Sequence, residues 1–165
     1  MMTDFSQKDF RNALGLFTTG VAVVTATAPG GERIGFTINS FASVSLEPAL
    51  VLFSAGRHLR SYDAIANAEG FTINVLREEQ KELSNRFARA GENKWENVRS
   101  RSGLQGGHII EDSLVSFDCR THKQYAEGDH LIIIGEVIGL QAALHHDPLV
   151  FFRSTYCSLD EKQAA

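Results

Sequence analysis

A chain of 165 residues, 43% hydrophobic and 22% charged, has the size and composition of one ordinary globular domain. Its net charge of −4 disfavours binding to the phosphate backbone of nucleic acid, and no apolar run is long enough to span a membrane. The first eleven residues lack the apolar stretch of a signal peptide, and two cysteines provide no disulfide framework. We therefore expect a cytoplasmic protein with neither a nucleic-acid nor a membrane partner.

The first half of the chain predicts a helix, several strands and a second helix. Ser6 can cap a helix in which Phe10, Leu14 and Phe17 share one face, with Gly20 as its end. Segments rich in β-branched or alternating apolar residues predict strands over 21–27, 34–45, 50–54 and 71–76. A short helix is expected over 58–68, before the last of these strands.

The second half predicts a polar helix over 78–89, a long loop over 93–107 and three strands. The strands cover 114–125, 130–140 and 149–156, and the tight connection Glu127-Gly128-Asp129 joins the first two. Strands that are close in sequence and joined by short turns favour antiparallel pairing. We predict one domain over 1–165, with its core at about 10–156, that is mainly β and forms an antiparallel barrel with flanking helices.

Several common catalytic and ligand-binding signatures are absent from the sequence. There is no Gly-x-Gly-x-x-Gly fingerprint, phosphate-binding loop, nucleophile elbow or Cys-x-x-Cys metal spacing. His145-His146-Asp147 fits a polar turn before Pro148 better than a metal site, and no metal is expected. If the chain is an enzyme, its chemistry should belong to a cofactor.

The segment 35–48 is unusually rich in hydroxyl and amide side chains. Alternation along a strand would place Ile38 and Ser40 on one face, and Thr37, Asn39 and Phe41 on the other. Neutral donors suit a phosphate, a ribityl chain or a polar ring edge. A solvated edge strand whose hydroxyls bond locally explains the same composition equally well.

A series of motifs runs in order along most of the chain: TTGVAVVT at 18–25, GFTINSFASVSLEP at 35–48, LVLFS at 50–54, NVL at 74–76, FA at 87–88, GDH at 128–130, GEV at 135–137 and PLVFFRSTY at 148–156. From about Phe10 to Tyr156 this series resembles the short-chain flavin reductase family, the reductase components of two-component flavin monooxygenases. Gly-Asp-His before an apolar strand, with Phe-x-Arg-x-x-Tyr near the end, makes the ordered set specific.

The resemblance implies a split barrel that binds FMN or FAD on a homodimer and takes hydride from NADH or NADPH. It also implies a separate oxygenase that receives the reduced flavin. The flavin ring edge and ribityl chain are assigned by the resemblance to Thr37, Ile38, Asn39 and Ser40. The same resemblance assigns the phosphate end to Ser43, Val44 and Ser45, closed by Ser54 and the segment 57–61, which includes Arg60 and Ser61.

The remaining site residues implied by the resemblance are His130, Asp129, Arg153 and Tyr156. We predict that His130 is catalytic, near the nicotinamide and flavin rings, although a turn or core histidine is the alternative. Asp129 would orient the imidazole or cap the turn. Arg153, the one cation of an apolar strand, would meet a ligand phosphate, Asp129 or a carboxylate of the second subunit. Tyr156 would cover the rings or belong to the core.

Three further expectations accompany this assignment. The loop with Lys94 and Trp95 resembles a nicotinamide lid, although a lone tryptophan is more often core. The apolar segments 131–134 and 150–152 are candidates for the dimer interface. Ser154-Thr155 stands where the family usually has glycine.

Two other functions stay open: a flavin-carrying electron-transfer protein of the same fold, and a non-enzymatic barrel that binds another ligand such as haem.

Overall fold

The computed structural model describes residues 3–91, 93–143 and 145–159. In these ranges three α-helices and twelve strands follow one another: α1 Gln7–Leu14, β1 Thr19–Gly20, β2 Ala22–Thr27, β3 Arg33–Ile38, β4 Ala42–Leu46, β5 Ala49–Gly56, α2 Tyr62–Ala66, β6 Gly70–Val75, α3 Lys81–Ala88, β7 Ser100–Ser102, β8 His108–Ile110, β9 Val115–Glu127, β10 His130–Ala142, β11 Val150–Phe152 and β12 Thr155–Cys157. A 3-10 turn, Glu78–Gln80, leads directly into α3.

Seven strands form one antiparallel sheet in the spatial order β3-β2-β6-β9-β10-β5-β4. The two edges, β3 and β4, are consecutive in the chain, and within the described residues no ladder pairs them. The hydroxyl of Ser40, in the link between them, accepts a hydrogen bond from the N–H of Ser54 at 3.0 Å and so ties the exit of β3 to β5. The predicted mainly β fold, an antiparallel split barrel with flanking helices, is confirmed.

The main core lies inside the curved sheet and is dominated by phenylalanines from neighbouring strands. Phe36, Phe53 and Phe71 are almost fully buried. The rings of Phe53 and Phe71 meet edge to face, with their centroids 5.1 Å apart. A second apolar cluster, which includes Leu76 and Phe87, packs α3 against the sheet.

A buried asparagine fixes the small β7–β8 hairpin to the main sheet. The amide nitrogen of Asn74 donates to the carbonyl of His108 at 3.1 Å, and its oxygen accepts from the N–H of Ile110 at 3.0 Å. The hydroxyl of Ser116 donates to that same oxygen at 2.9 Å. The hairpin begins at Ser100, so the loop predicted over 93–107 is wrong from that residue on. The hairpin depends on hydrogen bonds from Asn74, which is distant in sequence.

The predicted strand over 149–156 is wrong, because it is a hairpin. β11 and β12 pair with each other, and the two residues between them, Arg153 and Ser154, have φ values of 49° and 62°. Two successive left-handed residues are the geometry of a tight hairpin turn that normally favours glycine or asparagine. Arg153 is consequently exposed in a turn rather than buried in an apolar strand.

Other boundaries also differ from the sequence predictions. The strand predicted over 34–45 is broken at 39–41, so face alternation stops at Ile38, and Phe41 instead packs on Phe117 with ring centroids 5.3 Å apart. The helix predicted over 58–68 shortens to α2. Leu131 and Ile133 of the predicted interface segment lie in the protomer's own core.

Candidate functional site

A cleft of about 190 Å³ lies at the split of the barrel, between β3, the end of β5 and the start of β10. Within the described residues β3 pairs with β2 alone, so its outer edge has no ladder partner. The carbonyls of Arg33 and Gly35 accept hydrogen bonds from the loop after α3, which leaves the main-chain groups near Thr37 for a ligand. Six of the predicted site residues line this cleft: Thr37, Ile38, Asn39, Ser40, Ser54 and His130. The order of strands therefore brings residues from three distant parts of the sequence to one place.

Backbone groups, more than side chains, offer the free polar contacts of this cleft. The hydroxyl of Thr37 already donates to the carbonyl of Ser84 at 2.7 Å. The side chain of Ile38 is buried in the core. Ser40 is occupied by the main chain of Ser54. The side-chain donors expected from the composition are thus largely used internally, and the open strand edge replaces them.

A larger cleft of about 420 Å³ adjoins the first, and the two share Phe36, Thr37, His58 and Leu59 as lining residues. Its other walls are the 58–61 segment, with the predicted Arg60 and Ser61, and the chain that follows α3. Arg60 is exposed. His58, two residues earlier in the chain, lines both clefts and so lies at their junction. A ligand with a polar ring at the split would extend its anionic end toward these residues.

His130 is held by its neighbour in the chain. Its ring Nδ1 lies 2.7 Å from a carboxylate oxygen of Asp129, and the hydrogen bond from His130 lowers the pKa of Asp129. With Nδ1 engaged, Nε2 is the ring nitrogen left for a ligand. Gly128, at φ 56°, makes the tight turn that sets the two side chains side by side. The contact matches the first of the two roles considered for Asp129.

His58 lines both clefts, and the sequence predicted it only as part of the segment 57–61. A Cβ on Gly56 would lie 2.5 Å from Cε1 of His58 and 3.5 Å from Nε2 of His130. Glycine at 56 therefore gives the His58 ring room against β5 and beside His130. The signal was weak, because a glycine two residues before a histidine is common and the contact depends on the β5–β10 pairing.

The loop after α3 is attached firmly to β3. The ammonium of Lys94 donates to the carbonyls of Gly35 at 3.3 Å and Phe87 at 3.1 Å, and burial lowers the pKa of Lys94. The indole N–H of Trp95 donates to the carbonyl of Arg33 at 3.0 Å. The loop predicted as a nicotinamide lid thus forms a fixed wall of the larger cleft.

Six predicted residues line neither cleft: Ser43, Val44, Ser45, Asp129, Arg153 and Tyr156. The first three lie on the edge strand β4, where the pairing register with β5 shifts. The backbone N–H of Arg153 donates to the carbonyl of Gly15, directly after α1, at 2.9 Å. The phenol of Tyr156 is hydrogen-bonded to Ser84 at 2.8 Å, which fits the structural alternative for this residue.

Comparison with known proteins identifies the class. Residues 14–160 match the family model described as flavin reductase like domain, and the chain belongs to this family. The predicted resemblance is confirmed, and so is the class of enzyme: a flavin reductase domain, whose chemistry depends on a flavin and a nicotinamide.

Particular relatives are similar over most of the chain. The FMN reductase (NADH) SmoA of Agrobacterium fabrum is 45% identical over 148 residues, which are 88% of this chain and 82% of that protein. The reductase component of the flavin-dependent trigonelline monooxygenase of Acinetobacter baylyi is 41% identical over 82% of this chain. A crystal structure of a nitrilotriacetate monooxygenase component B homologue from Mycobacterium thermoresistibile has a TM-score of 0.90 at 36% identity, covering 96% of this chain and 90% of that one.

These relatives differ in length. The chain spans 44% of the trigonelline monooxygenase component but most of the other two proteins. Among the helices of the described residues, none is long and apolar enough to cross a membrane.

Proposed function

We propose that this protein uses NADH to reduce FMN and that the two adjoining clefts bind the flavin. The observation that carries this proposal is the convergence of the open β3 edge, the Ser40–Ser54 link and the Asp129–His130 pair on one cleft. The relative SmoA, which is called an NADH-dependent FMN reductase, supports the choice of nucleotides.

The residues fit a flavin on chemical grounds. The main-chain groups at the end of β3, beyond the Arg33 and Gly35 carbonyls that the loop after α3 bonds, can hydrogen-bond the polar edge of a planar ring without any strong acid or base. For the phosphate, Arg60 provides a guanidinium cation, His58 an imidazole and Ser61 a hydroxyl. When bound, the flavin accepts the hydride that NADH supplies.

The protein's own contribution is binding, orientation and exclusion of water. The main chain from Thr37 to Asn39 would hold the ring edge. Asp129 keeps Nδ1 of His130 engaged, so that Nε2 is available to hydrogen-bond the nicotinamide carboxamide or a reacting nitrogen. Leu59 and Trp95 line the larger cleft and would displace water from the face of a bound ring. Near-attack stacking of two rings needs positioning more than acid–base catalysis.

Two sets of predicted residues are alternatives for binding the flavin phosphate: Arg60 with Ser61, and Ser43 to Ser45. We place it toward Arg60 and Ser61, because these residues line the larger cleft. The role assigned to Ser43, Val44 and Ser45 stays a prediction. FMN affinity in Ser43→Ala and Ser45→Ala tests it, with Arg60→Gln as the alternative position: a loss of about tenfold is expected for Arg60→Gln if a charge-assisted phosphate contact is removed.

A homodimer is also part of the proposal. Apolar side chains remain exposed on α1 and β4, with Phe10 at 54%, Leu14 at 58% and Leu46 at 94% of their full accessibility. Such residues are candidates for burial against a second copy. Arg153 contacts the end of α1 and would face that copy. Light scattering should show two chains per particle, and Leu14→Glu with Phe10→Glu should shift the particles toward monomers.

We further propose a cytoplasmic protein that delivers reduced flavin to a separate oxygenase, as the names of its relatives suggest for those proteins. The deciding assay is steady-state loss of NADH absorbance with added FMN, repeated with FAD and with NADPH. Flavin binding without NADH oxidation would instead favour the electron-transfer protein. A haem spectrum after purification, with no flavin binding, would favour the third function.

A further inference from the structure

We propose that Tyr156 is a positioning residue for the flavin site and acts through Ser84 of α3 on Thr37 at the end of β3. The inference rests on the proposed function, because the affected strand is the one proposed to hold the flavin ring. Tyr156 lines neither cleft, so within one protomer it acts only through its neighbours. Removal of its hydroxyl should nevertheless change flavin binding, because hydrogen bonds connect that hydroxyl to the site.

Three hydrogen bonds form this connection. The hydroxyl of Thr37 donates to the carbonyl of Ser84 at 2.7 Å. The hydroxyl of Ser84, whose side chain is completely buried, lies 2.8 Å from the phenol oxygen of Tyr156. That phenol donates to the side-chain oxygen of Asn85 at 3.2 Å. Because a phenol has a single hydrogen to donate, the Ser84 hydroxyl is the donor to Tyr156, and Ser84 is bonded on both sides.

α3 is attached to β3 at two points. Near the middle of the strand, the ammonium of Lys94 joins the carbonyls of Gly35 and Phe87, at 3.3 Å and 3.1 Å. At the end of the strand, the Thr37–Ser84 bond makes the attachment. Thr37 lines both clefts, and the main-chain groups beside it are those proposed to bind the flavin ring. A displacement of Ser84 would therefore reach the part of β3 that the ligand contacts.

Tyr156 itself is held independently of α3. It pairs with Phe151 across the β11–β12 hairpin, and the two rings meet edge to face with their centroids 5.4 Å apart. β11 also pairs with β1, so the phenol extends from a three-stranded sheet that is separate from the seven-stranded sheet. Phenylalanine would make the same ring contact without a hydroxyl. The hydroxyl therefore has a distinct effect, which is to fix the buried Ser84.

Tyr156→Phe is the main test variant, because it keeps the ring against Phe151 and removes only the phenol oxygen. The dissociation constant for FMN is measured from the quenching of Trp95 fluorescence, and the melting temperature is recorded alongside. We expect this constant to rise by about threefold to tenfold, the change typical of losing one neutral hydrogen bond. Tyr125→Phe is the matched control, since Tyr125 is 47% exposed and lines neither cleft, and it should bind FMN as wild type does.

Two further variants determine whether the effect passes through Ser84. Ser84→Ala removes the hydroxyl that meets the phenol but keeps the carbonyl that accepts from Thr37. It should raise the dissociation constant by a similar factor, and it decides the question alone if Tyr156→Phe does not fold. Thr37→Val removes the other end of the link. In a Thr37→Val background, Tyr156→Phe should change FMN affinity by less than about twofold, because effects within one hydrogen-bond network are not additive.

Two results would overturn the inference. One is wild-type FMN affinity in Tyr156→Phe and Ser84→Ala with a lowered melting temperature, as a purely structural role predicts. The other is an equal loss of affinity from Tyr156→Phe with and without Thr37→Val, which would mean that Tyr156 acts by another route. Failure of the proposed function is read from the wild-type protein. No FMN binding contradicts the site and this inference together, whereas FMN binding without NADH oxidation contradicts the reductase activity alone.

Discussion

Gly56→Ala should impair the flavin site while leaving the fold intact. The added Cβ would lie 2.5 Å from Cε1 and 2.7 Å from Nδ1 of His58. Ordinary contacts between carbon atoms begin at about 3.5 Å, so the imidazole must move by about 1 Å or more. His58 is at the junction of the two clefts, and its displacement changes the shape of both.

The cost to stability should be small. His58 is exposed, so its ring can rotate toward solvent, and Gly56 does not occupy the left-handed region that excludes alanine. Alanine also lowers the entropy of the unfolded chain, which stabilises by about 0.4–1 kcal/mol where the backbone accepts it. We therefore expect an unfolding free energy within about 1 kcal/mol of wild type.

The effect on function should be much larger. A misplacement of about 1 Å in a site that works by positioning can reduce the rate by up to about a hundredfold. We expect kcat/KM for NADH, with saturating FMN, to fall by at least about tenfold. Steady-state NADH oxidation measures this value, and quenching of Trp95, the one tryptophan of the chain, reports on flavin binding.

Gly35→Ala is the matched comparison. Its added Cβ would lie 2.5 Å from Phe87, which is 1% exposed and packed edge to face on Trp95, so the neighbour cannot move away. Overpacking of that kind costs about 1–3 kcal/mol. A loss of stability in Gly56→Ala equal to that in Gly35→Ala, or a wild-type kcat/KM, would contradict the expected displacement of His58.

Three further outcomes are expected. Asn74→Ala removes the hydrogen bonds that hold β8 and leaves their buried partners unsatisfied. It should lower the free energy of unfolding in urea by about 2–4 kcal/mol. A loss below about 1 kcal/mol would contradict this. Burial, assisted by Asp118, raises the pKa of Cys119 from 9.0 to about 12. The unfolded chain therefore ionises first, and stability should fall between those pH values by about 1.4 kcal/mol per unit, a loss absent in Cys119→Ala. His130→Ala should raise KM for NADH several-fold, as expected for loss of one neutral hydrogen bond of about 0.5–1.5 kcal/mol, and unchanged kinetics would exclude its nicotinamide role.

Local signals were sufficient for the elements that are stabilised locally. The first helix begins as predicted, with the Ser6 hydroxyl and the Asp9 carboxylate each bonding the other's backbone N–H, although it ends at Leu14, well before Gly20. The long β9–β10 pair was also predictable, because a tight turn at Gly128 joins two long strands. The Arg153–Ser154 turn could not be predicted in this way, since neither residue favours the left-handed region and pairing of β11 with β12 imposes it.

The site residues also fall into those that local motifs predict and those that depend on tertiary contacts. Residues of β3, with Ser54 and His130, were identified through motifs, and strand order brings them together. The motifs did not show that the hydroxyls of Thr37 and Ser40 would be used by the protein itself. Lys94 acquires its position from a hydrogen bond to the carbonyl of the distant Gly35. His58 follows Gly56 by only two residues, but its place beside His130 depends on the pairing of β5 with β10, which no local pattern reveals.

The part of the β3 edge that has no partner also bears on the behaviour of the protein in storage and during folding. An open strand edge is a template on which another chain can add a strand, and this is a common start of aggregation. Lys94 and Trp95 protect the carbonyls of Gly35 and Arg33, so the main-chain groups near Thr37 are the ones left for such pairing. A flavin that hydrogen-bonds the edge would occupy the same groups. Preparations kept saturated with flavin should therefore stay dispersed longer than ligand-free ones, and the nucleotide would protect the protein as well as serve its chemistry.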